Sequence, residues 1–199
     1  MDQFFTEQRP DPVSSDQESQ NTRRIFVDML QTLLLSAAIF LALNFISARI
    51  RIESVSMQPT LYENDFVLVN RLAYKMGQPG RGDVIVFHYP PNPEQEPYIK
   101  RVIGLPGDTV EVRDGLVFVN GNLIREPYIK NAPAYSGVWQ VPQDSLFVLG
   151  DNRNNSSDSH AWGFVPLQNV IGTAEFVYLP PAHWQVLNPN QALAAEPQP

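Results

Sequence analysis

Twenty consecutive residues without a charge, Met29 to Ala48 (MLQTLLLSAAIFLALNFISA), constrain this chain more than any other feature. As a helix rising about 1.5 Å per residue, such a run is about 30 Å long, the thickness of a bilayer's hydrocarbon. A cleaved secretory signal peptide is the competing reading. However, a polar stretch of more than twenty residues precedes the run, which also exceeds the usual apolar region of about 7–15 residues. A buried soluble helix would need an apolar partner, and no other strongly apolar helical stretch is present. The expectation is a single retained membrane anchor over residues 25–48, interrupted by Gln31, Thr32, Ser36 and Asn44. Arg23 and Arg24 precede the run and Arg49 and Arg51 follow it, so the positive-inside rule leaves its orientation open.

Residues 1–24 carry Asp2, Glu7, Asp11, Asp16 and Glu18 without periodicity and are expected to form a disordered tail. Residues 49–185 alternate short β-rich runs with turn signals. The runs are Phe66–Val69, Val84–Tyr89, Thr109–Arg113, Leu116–Val119, Ser145–Leu149 and Val170–Leu179. Asp114-Gly115 and Asn120-Gly121 read as hairpin turns, because these residues accept positive φ at little cost. With 18 prolines in 199 residues, long helices are disfavoured in this part. The expected fold is mostly β, an antiparallel sheet domain behind one N-terminal transmembrane α-helix, with a loose tail at 186–199. A net charge of −7 gives no basic footprint, so no nucleic acid is expected as partner. The chain has no cysteine, and His88, His160 and His183 are scattered. Neither a metal nor another cofactor is expected.

Shortly after the apolar run comes Glu53-Ser54-Val55-Ser56-Met57-Gln58-Pro59-Thr60-Leu61. A serine hydroxyl is a poor nucleophile unless a neighbouring base takes its proton. Histidine is the usual base, and lysine is a known variant. A lysine serves only when uncharged near neutrality, which needs burial or a nearby cation to bring its pKa well below about 10.4. Lys75 lies in a polar, glycine-bearing stretch and reads as solvated. Lys100 lies in Tyr98-Ile99-Lys100-Arg101-Val102-Ile103-Gly104-Leu105, where strand alternation puts Tyr98, Lys100 and Val102 on one side and Arg101 on the other. Lys130 repeats the Tyr-Ile-Lys flank but runs into Asn131-Ala132-Pro133, which reads as loop. Lys100 is the first choice of base and Lys130 the second, with an exposed strand lysine as the bland alternative for both.

Ser56 also has a bland reading, a cap before a helix that Pro59 would open. Ser54 would lie on the same side as Ser56 in an extended segment, where its hydroxyl could donate to an oxyanion beside the Ser56 N–H. The polar run Gly150–His160 is either an exposed loop of turn formers or a hydrogen-bonded shell around a site. In the second reading Asp151, Arg153 and Asp158 brace it, a serine positions the base, and the Arg81-Gly82-Asp83 turn adds a partner. A Ser-His-Asp triad using His160 and Asp158 is the rival, although no Gly-x-Ser-x-Gly elbow is present.

Four stretches together resemble the type I signal peptidases (leader peptidases), membrane-bound Ser-Lys endopeptidases. They are Ser54–Leu61, Arg81–Phe87, Tyr98–Asp108, and Gly150–Ser159 with Trp162-Gly163-Phe164-Val165-Pro166, in the family's order. The resemblance implies Ser56 as nucleophile and Lys100, not Lys130, as general base. It implies an oxyanion hole from the Ser54 hydroxyl and the Ser56 N–H, Ser156 orienting the lysine, and Asp158 as a structural acid. It also implies that Ile52, Met57, Leu61, Val86, Tyr98 and Ile99 line the substrate pockets. Glu53 and Val55 stand where the family often has Pro and Gly, Asn154 replaces a common aspartate, and His160 replaces a common basic residue.

The implied substrates are secretory preproteins with small residues before the cut, and the implied surroundings a lipid bilayer. The N-terminus would be cytoplasmic or stromal and the catalytic domain on the trans side, periplasmic or lumenal. Two rivals make different demands. A Ser-Lys autoprotease of the transcriptional-repressor type would need a helix-turn-helix in place of the apolar run. A non-catalytic, membrane-anchored β-rich interaction module predicts an exposed Lys100 and a dispensable Ser56.

Overall fold

The computed structural model describes residues 15–187 and divides between Asn44 and Phe45 into two units. The first is helix α1 (Ser15–Ile46), whose last two residues count with the second unit. Its segment Gln20–Ile46 is long and apolar enough to cross a membrane, and none of its most apolar window is buried. Large side chains such as Phe26, Met29, Leu33, Phe40 and Phe45 are each more than half exposed. The polar interruptions turn inward on the helix itself. Thr32 Oγ1 donates to the Asp28 carbonyl at 2.8 Å and Asn44 Nδ2 to the Phe40 carbonyl at 2.9 Å. Neither group then needs a partner from hydrocarbon.

Both boundaries of the anchor differ from the expected 25–48. The described part of the polar tail, from Ser15, is helical, because a nucleated helix propagates at little cost through Gln17, Glu18, Gln20, Arg23 and Arg24. At the other end Ser47 and Ala48 leave the helix and pair with Asn70 and Val69 in a sheet. The remainder of the expected N-terminal tail, residues 1–14, lies outside the described residues.

The second unit contains β1 (Ser47–Arg51), β2 (Phe66–Asn70), α2 (Ala73–Met76), β3 (Val84–Phe87), β4 (Tyr98–Gly104), β5 (Thr109–Arg113), β6 (Leu116–Val119), β7 (Asn122–Leu123) and β8 (Gly137–Gln140). After these come β9 (Ser145–Leu149), α3 (Ser159–Trp162), β10 (Val165–Pro166), β11 (Val170–Leu179) and β12 (Gln185–Val186). One sheet runs β1-β2-β11-β3-β4-β9-β10 with β12 beside β11, and a second runs β7-β6-β5-β8. Every pairing is antiparallel, as expected. The hairpin turns fall where the dipeptides place them, with positive φ at Asp114, Gly115, Asn120 and Gly121.

Alternation sets the faces. Val67 and Val69 of β2 point inward while Phe66, Leu68 and Asn70 are half-exposed, whereas β3 and β9 are buried on both faces. Glycine is required where β4 approaches the second sheet. A Cβ on Gly104 would lie 2.6 Å from Val110 Cγ2 and 2.9 Å from Val141 Cγ2. The core cluster nearest the site unites Ile52, Met57, Leu61, Val67, Val69, Val86 and Ile99 with Leu187. Val186 pairs with Phe176 in β12 and Leu187 is buried, so the expected loose tail does not begin at 186; burial of Leu187 carries the domain further. Residues 188–199 lie outside the described residues. The outward side chains of β2, β11 and the C-terminal segment form an aromatic face, with Phe66 against Tyr178 and Phe176 against an exposed Trp184.

Candidate active site

Ser56 sits in the connection between β1 and β2, a loop closed at its base by main-chain bonds. Ile52 N–H donates to the Asp65 carbonyl and Asn64 N–H to the Ile52 carbonyl, each at 2.8 Å. No helix follows Ser56. Residues 56–60 form turns, so the cap reading fails and the hydroxyl is left for other work. Met57 and Leu61, both fully buried, pin the loop to the core. Asn152 holds it from the opposite side, its N–H bonding the Ser56 carbonyl at 3.0 Å and its Nδ2 the Val55 carbonyl at 3.1 Å. Gly150 passes so close that a Cβ there would collide with the Ser56 carbonyl and with Ser156 Oγ.

Lys100 enters from β4. The alternation predicted from the sequence holds, with Nζ 5.3 Å above the Tyr98 ring and Arg101 directed elsewhere. Lys100 Nζ lies 2.7 Å from Ser56 Oγ and 2.9 Å from the Ile99 carbonyl. Ser54 Oγ is 3.1 Å from Ser56 Oγ. Lys100 is 4% and Ser56 7% exposed, so the pair is almost dry. Burial lowers the Lys100 pKa from 10.5 to about 8, partly countered by the negative charges of Asp158 and Asp151. Lys75 and Lys130 are exposed.

The polar run after β9 is a shell, and Asp151, Arg153 and Asp158 brace it together with partners from outside the loop. Asp151 is clasped by Arg101, with Nε and Nη2 at 2.8 and 2.7 Å from its two oxygens. Arg153 grips Glu126 through two bonds of 2.6 Å and reaches the Gly150 carbonyl through Nε at 3.1 Å. The Tyr128 ring lies 4.0 Å from the Arg101 guanidinium and 5.9 Å from that of Arg153, and its hydroxyl donates to Glu126. Buried charge survives only when paired and fully bonded, and the partners, Arg101 and Glu126, come from outside the loop. Sequence reasoning missed Glu126 because nothing in Arg125-Glu126-Pro127 marks it. Arg101 carried a signal, being the off-face neighbour of Lys100. From the Arg81-Gly82-Asp83 turn, the Gly82 carbonyl accepts from Arg101 Nη1 at 2.9 Å, while Arg81 pairs with Asp108.

Asp158 caps α3, accepts from the Gly150 N–H at 2.9 Å and meets His160 Nδ1 at 2.6 Å. His160 stacks on Tyr135 at 4.0 Å. The Ser-His-Asp alternative therefore fails, since His160 is engaged there while Ser56 faces Lys100. The expected bond between Ser156 and Lys100 is not formed; Ser156 Oγ is buried without a partner among the described residues.

A groove of about 690 Å³ opens over the pair. Ile52, Tyr98 and Ile99 line it as expected. Met57, Leu61 and Val86 do not; they are fully buried in the core, because their strand and loop positions point away from the opening. Ile50, Pro97 and Ile171 line it instead, a choice made by strand neighbours rather than by local pattern.

An antiparallel β domain that buries an alcohol against a desolvated amine at the floor of an open groove, in a chain that also carries an apolar helix, is of the serine hydrolase class. The family model "Signal peptidase, peptidase S26" matches residues 24–179. Signal peptidase I of Leptolyngbya laminosa is 48% identical over 159 residues, covering 76% of this chain and 78% of that protein. Probable signal peptidase I-1 of Synechocystis sp. is 44% identical over 160 residues, covering 76% and 82%. A crystal structure of a signal peptidase I from Enterococcus faecalis covers 49% of this chain and 97% of its own, at 35% identity and a TM-score of 0.45. The chain belongs to the signal peptidase family, peptidase S26, and is a hydrolase.

Removing Asp151 strands Arg101 in the interior. Asp151→Ala should cost about 3–5 kcal/mol in urea unfolding, the penalty of an uncompensated buried charge. Arg113→Ala, which breaks the exposed pair with Glu111, should cost less than about 1 kcal/mol. Equal losses in the two variants would contradict the bracing role.

Proposed function

We propose that this signal peptidase cleaves by acyl transfer, with Ser56 as nucleophile and Lys100 as general base. The carrying observation is the 2.7 Å approach of Lys100 Nζ to Ser56 Oγ in a nearly dry setting. The uncharged amine accepts the Ser56 proton as Oγ attacks the scissile carbonyl. Charge gathers on the carbonyl oxygen, to which the Ser54 hydroxyl and the Ser56 N–H donate. That N–H has no partner among the described residues, which supports the role. Lys100 then returns its proton to the leaving amine, and the acyl group stays on Ser56. Water follows the reverse course: Lys100 takes its proton, the hydroxide oxygen joins the acyl carbon, and Ser56 regains its hydrogen. Ser156 orients the lysine once the amine is neutral, a role favoured by its buried and otherwise unpartnered hydroxyl. Asp158 fixes the polar loop through Gly150. The non-catalytic module is not favoured, since it has no use for a lysine brought to about 8.

The substrates are preproteins, and removal of their signal peptides is the family's reaction. The peptide lies extended in the groove as an added strand, with small side chains before the cut accepted at Ile52, Tyr98 and Ile99. Met57, Leu61 and Val86 back these pockets from the core. The lipid bilayer is the other partner, entered by α1. The N-terminus is cytoplasmic or stromal and the catalytic domain stands on the trans side, where cut sites emerge.

Ser56→Ala and Lys100→Ala should each abolish preprotein cleavage in detergent, while Lys130→Ala cleaves normally; activity in Lys100→Ala would sink the dyad. Only the unprotonated amine acts, so kcat/KM should climb as pH rises through about 8 and then level. A bound peptide expels more water from Lys100, so the midpoint for kcat should lie lower than that for kcat/KM; a higher one would contradict this account. In sealed vesicles with the cytoplasmic face outward, added protease should spare the catalytic domain until detergent is present.

A further inference from the structure

Residues Pro180–Leu187 lie beyond the stretch matched by the family model, yet three of them reach the loop that carries Ser56. His183 Nδ1 is 2.6 Å from Oδ1 of the fully buried Asp65. The other oxygen of Asp65 accepts from the Tyr62 N–H at 2.8 Å, and the Asp65 carbonyl accepts from the Ile52 N–H. Asp65 therefore closes the loop at its base. Gln185 Nε2 donates to the Thr60 carbonyl at 2.6 Å, and the Thr60 hydroxyl donates to Asp151 Oδ2 at 2.5 Å. Asp151 in turn clasps Arg101, the residue beside Lys100. Leu187 shares a buried cluster with Met57 and Leu61, the loop's two apolar pins.

We propose that the segment Pro180–Leu187 is a clamp that sets the Ser56 loop against β4, with Gln185 and His183 as positioning residues for cleavage. The loop between Ile52 and Asp65 contains neither helix nor strand. Its place relative to Lys100 is decided by tethers from outside. Asn152 holds one flank at Val55 and Ser56, and the C-terminal segment holds the other at Thr60 and Asp65. Chemistry is more sensitive to such tethers than stability is, because a displacement of about 1 Å at the reacting atoms can cost about a hundredfold in rate. The clamp touches neither substrate nor the reacting atoms, so its loss acts through the geometry of the pair. The inference rests on the assignment of Ser56 and Lys100 as the reacting groups.

The test uses the full chain in detergent with a preprotein substrate, reading kcat, KM and the thermal midpoint together. Gln185→Ala and His183→Ala should each lower kcat per folded molecule by about tenfold or more, with KM within about twofold; Gln185→Ala should leave the thermal midpoint little changed, while His183→Ala should lower it, since Asp65 is left buried without that partner. His183→Asn, which keeps a donor toward Asp65, should recover most of the lost kcat. If Gln185→Ala does not fold, Gln185→Met, of similar size but without the donor, replaces it. Wild-type kcat in both alanine variants overturns the clamp. So does a loss that tracks only the fraction of unfolded protein, or a rise in KM at constant kcat. Ser56→Ala is assayed alongside: activity there sinks the dyad, whereas an inactive Ser56→Ala with unaffected clamp variants sinks the clamp alone.

Discussion

An ammonium group is most stable in water, and the fold withholds water from Lys100. Shifting Lys100 from 10.5 to about 8 corresponds to about 3 kcal/mol of added preference for the neutral amine. Burial supplies that preference against the pull of Asp158 and Asp151, so the direction is set by desolvation and not by a neighbouring cation. The loop of Ser56, the Gly150 crossing and the Asn152 bonds all serve to keep the amine covered on one side while the groove stays open on the other.

Two adjacent residues of β4 show how strand register divides the labour. Lys100 and Arg101 are both buried, but they face opposite ways. Lys100 meets an alcohol, a carbonyl and an aromatic ring, none of which neutralises a full charge. Arg101 meets a carboxylate in bidentate geometry together with the Gly82 carbonyl. The same strand thus holds one cation that is encouraged to lose its proton and one that is kept charged. A slip of one residue in register would exchange the two environments, so the antiparallel pairing of β3, β4 and β9 decides which cation lies beside Ser56.

Local chemistry was readable from the chain, and long-range chemistry was not. The hairpins at Asp114-Gly115 and Asn120-Gly121 and the sidedness of Tyr98, Lys100 and Arg101 follow from rules spanning only a few residues. The choice of Lys100 over Lys130 rests on the resemblance, and alternation only foreshadowed the burial of Lys100. Glu126 escaped notice because it meets Arg153 across 27 residues of intervening fold. Met57, Leu61 and Val86, which the resemblance places in the groove, lie in the core behind it, a distinction only the packed strands decide. The helix limits moved for a similar reason: competition between α1 and β1 for Ser47 and Ala48 is settled by pairing with β2.

Strand β1 terminates its sheet, and on its free side no strand pairs with it among the described residues. A sheet margin can pair with any extended chain, including another copy of the same molecule. Arg49 and Arg51, both exposed on β1, set like charges facing one another whenever two such margins approach. Charge of one sign along a sheet margin is a common guard against edge-to-edge pairing.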